Sequence, residues 1–342
     1  MAVHAGVELT RSYADDDYLD EDDVRIRPNP KGSRPRTKRR PNFDDAPLGM
    51  VLEVHLARYR VLVNGKEVLA TLAKELRNKG CVTCDQVRLD GDLSGEKGSL
   101  ARIVKVEPRK TALSRLNEES EAGEQTIVAN ADQLMIVLAS ANPEPKARLV
   151  DRYLVAAYNA GIKPFLVMTK CDLKDPKEFL ESFLGFDLTV IQTRSDQPNL
   201  DELIPHIKDH TTVFAGHSGV GKTTLINALA PDYQRATGDV NEVTGKGKHT
   251  SSSARAIWAQ GGWIVDTPGV RTFGLAGISA AGLLKGFSDL AKASENCPRD
   301  CSHLALAPDC ELDVLASAGE ISPLRLDSFR RLVAEVSSVD WS

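Results

Sequence analysis

Aromatic side chains are scarce in this chain, making up 5 % of its 342 residues, with three tryptophans among them. Long apolar runs are missing too. The longest lies near Leu134 to Ala139, far short of the roughly 20 residues that a membrane helix needs. The opening Met1-Ala2-Val3-His4-Ala5 starts no apolar leader segment, so neither secretion nor a membrane partner is expected. A strong charge of one sign is also lacking. The net charge is −5 and the isoelectric point about 5.9, which gives no global attraction to nucleic acid and leaves any such surface local. The six cysteines (Cys81, Cys84, Cys171, Cys297, Cys301 and Cys310) are unevenly spread and lack the spacing of a disulfide scaffold.

The length predicts two or three domains. Residues 1–44 form a charged tail: the acidic run Asp15 to Asp23 precedes Arg25, Arg27, Lys31, Arg34, Arg36, Lys38, Arg39 and Arg40, broken by four prolines. Such a segment buries too little to fold alone and is expected to be disordered. It reads equally as a solvated tail or as a basic arm for RNA phosphates. Residues 45–107 carry five short strand-like runs, the second and third joined by Asn64-Gly65, a type I′ hairpin signal. That pattern fits a small closed β-barrel of the OB type. Only Tyr59 and scattered cations stand there to meet RNA, favouring backbone or shape contacts over base stacking. Cys81 and Cys84 read as buried thiols in preference to half a metal site. Pro108 to Gly123 reads as a linker.

Within residues 108–276 strands and helices alternate: strands at Leu134–Ala139, Phe165–Met168, Leu188–Ile191 and Thr211–Ala215, helices near Lys146–Ala160, Pro176–Leu184 and Leu200–Lys208. Alternation of this kind means an α/β domain with a parallel sheet and a ligand at the strands' carboxyl ends. Gly216-His217-Ser218-Gly219-Val220-Gly221-Lys222-Thr223 fits G-x-x-x-x-G-K-[ST] between a strand-like and a helix-like run, the context a phosphate-binding loop requires. Its glycines let backbone N–H groups turn toward phosphate oxygens, and the helix start adds its positive end. Lys222 is placed for the β- and γ-phosphates, and Thr223 for Mg²⁺, with Thr224 beside it at the helix start. With a nucleotide site present, the free cysteines indicate a reducing cytoplasm.

Downstream, a strand hairpin (Ala254–Trp258, Trp263–Val265) delivers Asp266-Thr267-Pro268-Gly269. Asp266 suits a water-bridged Mg²⁺, and Gly269 lets its N–H meet a γ-phosphate. Upstream, Thr169-Lys170-Cys171-Asp172 matches the T-K-x-D form of the element by which GTPases read guanine. The Asp172 carboxylate would accept from guanine N1 and N2 while the Lys170 stem covers the ring; adenine offers no matching pair of donors. Thr169 stands where many such elements carry Asn, so weaker support around the loop is expected without loss of base choice. Thr193 and Arg194 stand where a Ser-Ala pair commonly backs the base. The base-reading element here precedes the phosphate loop, the reverse of the usual order, so the chain resembles a circularly permuted GTPase.

In residues 277–342, Cys297, Cys301, His303 and Cys310 form a Cys₃His set with no open position, which suits structural zinc. Apolar residues recur at helical spacing on both sides, making the region mainly α-helical. Arg325, Arg330 and Arg331 read as a solvated face, with RNA contact the minority reading.

Barrel, permuted motif order and Cys/His cluster together resemble the RsgA (YjeQ) family of small-ribosomal-subunit-dependent GTPases. Further likeness lies in Pro108-Arg109, Leu113-Ser114-Arg115, Gly247-Lys248-His249-Thr250 and Thr267 to Leu275. The resemblance implies a GTPase acting late in small-subunit maturation, binding the subunit and its rRNA and stimulated by it, with other assembly factors as further partners. It implies GTP/GDP, Mg²⁺ and one structural Zn²⁺, in a cytoplasmic monomer. Thr250 would be the switch threonine closing on Mg²⁺ and the γ-phosphate. Val270 stands where Ras-like enzymes often place a water-orienting Gln, so His249 becomes the candidate for that role, against the plainer reading of a loop histidine. A nucleotide-regulated RNA-binding scaffold and a P-loop ATPase or kinase are the alternatives.

Overall fold

The computed structural model describes residues 43–55, 57–77, 80–116, 124–233, 254–267, 273 and 278–337. His249, Thr250, Gly269, Val270 and residues 1–42 of the tail therefore lie outside the described residues.

The first five strands are β1 (Leu48–His55), β2 (Arg58–Val63), β3 (Lys66–Leu72), β4 (Gln86–Gly91) and β5 (Ala101–Val106). β4 alternates buried Val87 and Leu89 with Gln86, Arg88 and Asp90, the two-residue period of a strand buried on one face, whereas Met50 and Leu52 of β1 and Leu62 of β2 pack onto the neighbouring core. Tyr59, Val61, Val63, Val68, Ala70, Val87, Leu89 and Ile103 meet inside. The second hairpin strand returns across Asn64 and Gly65, at φ 49° and 75°, the two positive values that a type I′ turn requires. β1 pairs with both β2 and β4, and β3 pairs in parallel with β5, which pairs with β4. The ring is thus closed into a five-stranded barrel.

The segment read as a linker is not one throughout. β6 (Ala112–Leu116) pairs antiparallel with β7 (Glu124–Ala129). Leu113 and Val128 are fully buried, and these few apolar positions among charged neighbours were too sparse to signal strands. Just before the hairpin, Arg109 donates to Asp85 through Nε and Nη2 at 2.7 and 2.8 Å. Asp85 is wholly buried and also accepts from the Val82 N–H at 2.7 Å.

The nucleotide-binding layer follows as β8 (Gln133–Ala139), α1 (Ala147–Ala160), β9 (Lys163–Thr169), α2 (Lys177–Glu181), β10 (Thr189–Gln192), α3 (Leu200–Ile207), β11 (Thr211–Ala215) and α4 (Lys222–Leu229). It ends in the hairpin of β12 (Arg255–Ala259) and β13 (Gly262–Asp266). The strand order is β10-β9-β8-β11-β13-β12, parallel apart from β12. Every residue of β8 is buried because helices cover both faces. Leu134, Ile136 and Leu138 join one core, and Met135, Val137 and Ala139 the other. β12 meets β1 at a single antiparallel pair, Glu53 opposite Arg255, so barrel and parallel layer form one eleven-stranded sheet.

Four helices close the chain: α5 (Ala280–Leu284), α6 (Ser288–Ser294), α7 (Glu311–Ser317) and α8 (Pro323–Ser337). α5 and α8 pack against α1, and α6 and α7 against them, around Phe287, whose ring lies 5.6 Å from Tyr158, 5.8 Å from Phe186 and 5.5 Å from Phe329. The arginines here are neither a solvated face nor free for RNA. Arg331 donates to Asp151 at 2.9 Å and lies over the Phe183 and Phe186 rings. Arg325 donates to Asp289 at 2.6 Å above Phe287. Helical periodicity marked the apolar stripe but could not place acids of α1 and α6 opposite these positions. No described helix is long and apolar enough to cross a membrane.

Candidate nucleotide site and metal cluster

β11 ends in the glycine-rich loop and α4 begins at Lys222, so the loop opens directly onto a helix N-terminus. Gly216 leaves β11 so close to β8 that a Cβ there would sit 2.4 Å from the Val137 carbonyl oxygen. Gly219 and Gly221 hold φ of 81° and 89°, the left-handed conformation that turns the amide groups of a phosphate loop inward. His217 and Ser218 are exposed on its rim, Val220 is buried beneath it, and Thr223 is half-buried in the first turn of α4. These features fit the polyphosphate of a nucleotide.

Lys222 Nζ donates to Asp266 Oδ1 at 2.5 Å and to the Thr267 carbonyl at 3.2 Å. Asp266, at the end of β13, is 1 % exposed, so loop lysine and strand aspartate face each other in a desolvated corner. Thr267 is equally buried and ties β13 to β11 by donating to the Phe214 carbonyl at 2.8 Å.

The Thr169–Asp172 turn follows β9 and lies against the phosphate loop. Thr169 Oγ1 is 2.5 Å from the Val220 carbonyl and 3.2 Å from that of Leu138. Lys170, at φ 57°, donates to the Gly219 carbonyl at 2.8 Å and to the Asn142 carbonyl. The Cys171 N–H donates to the Thr193 carbonyl at 3.2 Å, and Asp172 Oδ1 accepts from the Ser195 N–H at 2.7 Å. That hydrogen bond holds the Asp172 carboxyl below the ordinary aspartate range, keeping it ionised as an acceptor. A cavity of about 150 Å³ opens between Thr169, Lys170, Thr193, Ser195, Gly221 and Thr224. Sequence reasoning missed Asn142 and Ser195, both of which act through backbone groups that carry no residue signature.

The second cluster lies between α6 and α7. Ligand atoms of Cys297, Cys301, His303 and Cys310 all fall within 4.8 Å of one another. Arg330 of α8 donates to the His303 carbonyl at 3.0 Å, the Leu304 carbonyl at 3.3 Å and Asp313 at 2.7 Å, clamping the loop. Burial pushes the Cys310 thiol up to about 11 and holds His303 below the ordinary histidine range. A thiol in this setting favours its anion when a cation is beside it. Cys81 and Cys84, by contrast, are buried in and beside the barrel with thiols pushed up to about 12 by desolvation, which makes them inert packing residues.

A parallel sheet with a phosphate loop after β11, and a base-reading turn that comes earlier in the chain yet lies against that loop, defines a circularly permuted P-loop GTPase. The RsgA GTPase family profile matches residues 106–276. The small ribosomal subunit biogenesis GTPase RsgA of Pseudomonas aeruginosa is 36 % identical over 258 residues, 72 % of this chain and 74 % of that protein. The protein of the same name from Haemophilus influenzae is 36 % identical over 245 residues, 69 % of each chain. Among solved structures, YloQ, described as a circularly permuted GTPase, superposes with a TM-score of 0.62 at 24 % identity, covering 87 % of this chain and 97 % of its own. YjeQ from Thermotoga maritima gives the same score and identity over 85 % and 98 %. The chain belongs to the RsgA GTPase family. It is a GTPase, and guanine nucleotide with Mg²⁺ comes with that family.

Proposed function

We propose that the protein hydrolyses GTP in the service of small-ribosomal-subunit maturation, binding the subunit's rRNA and being stimulated by it. The observation that carries this reading is the convergence of Thr169 and Lys170 on the carbonyls of Val220 and Gly219. Base-reading turn and phosphate loop are thereby one rigid unit, despite their reversed order in the chain. The names of the relatives supply the partner.

Asp172 and the Lys170 stem select guanine, with Cys171 and Thr193 holding the turn. The N–H groups from Gly216 to Thr224 line the polyphosphate. With nucleotide bound, the Lys222 ammonium would exchange part of its bond to Asp266 for phosphate oxygens, freeing Asp266 to hold a metal-bound water. Thr223 and Thr250 would hold Mg²⁺, which would supply neutralisation of the charge on the β- and γ-phosphates. Gly269 donates its N–H to the γ-phosphate, and His249 orients the attacking water in place of a Gln.

We further divide the chain at residues 45–107 (an OB-type barrel), 108–276 (the permuted GTPase) and 277–342 (a zinc domain whose Cys297, Cys301, His303 and Cys310 hold one structural ion). The protein works as a cytoplasmic monomer that also meets other assembly factors. The test is GTP turnover with and without purified small subunits. Slow turnover alone and marked stimulation by subunits are expected; an unchanged rate sinks the proposal. His249→Ala retaining full stimulated turnover would remove that side chain from the mechanism.

A further inference from the structure

Two of the three tryptophans lie directly opposite each other in the hairpin of β12 and β13. Trp258 and Trp263 meet edge to face with centroids 5.2 Å apart, and Trp258 is left 60 % exposed. The ring borders a cleft of about 730 Å³ between this hairpin and the β2–β3 hairpin of the barrel. Leu52, Leu62 and Ile257 give it an apolar floor, and Tyr233 and Arg255 form one wall. The Arg255 guanidinium lies 4.8 Å above the Tyr233 ring and 3.7 Å from Glu53. Glu67 and Asp232 complete the rim, Glu67 with one oxygen 3.1 Å from Arg60.

The chemistry of this cleft differs from that of a phosphate groove. Among the described residues its rim has two carboxylates, and Arg255, the cation that lines it, is already paired, so a nucleic-acid backbone has little reason to enter. A flat, π-bearing group that donates hydrogen bonds suits it better. The open Trp258 face offers stacking, and the carboxylates accept from an exocyclic amino group. A volume in the range of about 300–1,000 Å³ accommodates a small-molecule-sized group. We propose that this cleft takes an unpaired, amino-bearing nucleobase (adenine, guanine or cytosine) of single-stranded RNA, stacked on Trp258 with its phosphates outside. The inference rests on the RNA-partner reading above and adds a site on the GTPase hairpin.

The test uses the full chain carrying Trp341→Phe, so that fluorescence reports Trp258 and Trp263, with the phosphate loop saturated with GDP. Oligoadenylate hexamers are expected to quench this emission and oligouridylate to do so with clearly weaker affinity. Trp258→Ala should weaken oligoadenylate binding, followed by anisotropy of a labelled strand, about ten-fold, the loss of one base–aromatic stack, whereas Trp258→Phe should stay within a few-fold. Absence of quenching, or an affinity unmoved by Trp258→Ala, overturns the assignment. So does quenching by an apolar peptide that RNA fails to displace, which would give the cleft to a protein. Co-sedimentation with small subunits is the separate readout of the wider reading, and it can succeed while the cleft assignment fails.

Discussion

Thr169 has one hydroxyl proton to share between the carbonyls of Val220 and Leu138. An asparagine amide would have two, so the loop is held here by the more modest of the two arrangements. Thr169→Val keeps the shape and removes the donor, leaving the Val220 carbonyl without it. The expected cost is about 1 kcal/mol, read as a several-fold fall in GDP affinity by calorimetry with ADP still excluded. Asp172→Asn tests base choice itself. Replacing a carboxylate acceptor by an amide costs about 1.5–3 kcal/mol for a charged hydrogen bond, so GDP affinity should fall roughly ten- to a hundred-fold and its advantage over ADP collapse in competition binding. An undiminished preference for GDP would detach Asp172 from recognition.

At the scale of elements, the ion pairs that join segments were the least legible part of the sequence. The short strand-like runs of β1 to β5, the Asn64-Gly65 turn and the full apolar run of β8 were all readable because each is a local pattern. Asp85–Arg109, Asp151–Arg331 and Arg330–Asp313 were not, since every one spans distant positions whose pairing only the folded chain decides. Likewise β6 passed for a linker and β7 went unassigned because Leu113 and Val128 are buried by neighbours, not by any pattern of their own. The motifs of the nucleotide site were legible because phosphate and guanine dictate residue types, while their backbone partners at Asn142 and Ser195 left no trace.

These pairs make predictions of their own. Arg109→Ala leaves the buried Asp85 carboxylate with the Val82 N–H alone, and an unpaired buried charge costs about 3–5 kcal/mol. The urea midpoint should drop accordingly, and the Asp85→Asn/Arg109→Gln double variant should recover part of the loss. Asp313 is held below the ordinary aspartate range chiefly by its hydrogen bond to Arg330. Its contribution is therefore complete above the unfolded-state value and fades as pH falls through the lower folded one, below about pH 4. Asp313→Asn should be less stable than the parent at neutral pH, with the gap narrowing on acidification, as followed by denaturant midpoints at each pH.

For the whole molecule, the C-terminal helices carry the Cys/His cluster and the Phe287 contacts with Tyr158 and Phe186. A strong chelator should release one zinc ion per chain, measured by elemental analysis, and lower the thermal midpoint. GDP affinity should change little, because no cluster residue touches the phosphate loop. Loss of nucleotide binding on chelation would mean that the cluster supports the site directly.

The strand order β10-β9-β8-β11-β13-β12 has a bearing on how the chain is made. As a polypeptide leaves the ribosome from its N-terminus, β8 comes first, β9 and then β10 extend one margin, and β11 followed by the last hairpin extends the other. No later strand must wedge between two that are already zipped together. The barrel, finished earlier still, waits at Glu53 for Arg255 to dock. A nascent chain can therefore accrete its sheet outward from β8, and it gains the capacity to grip nucleotide only once the whole layer has emerged.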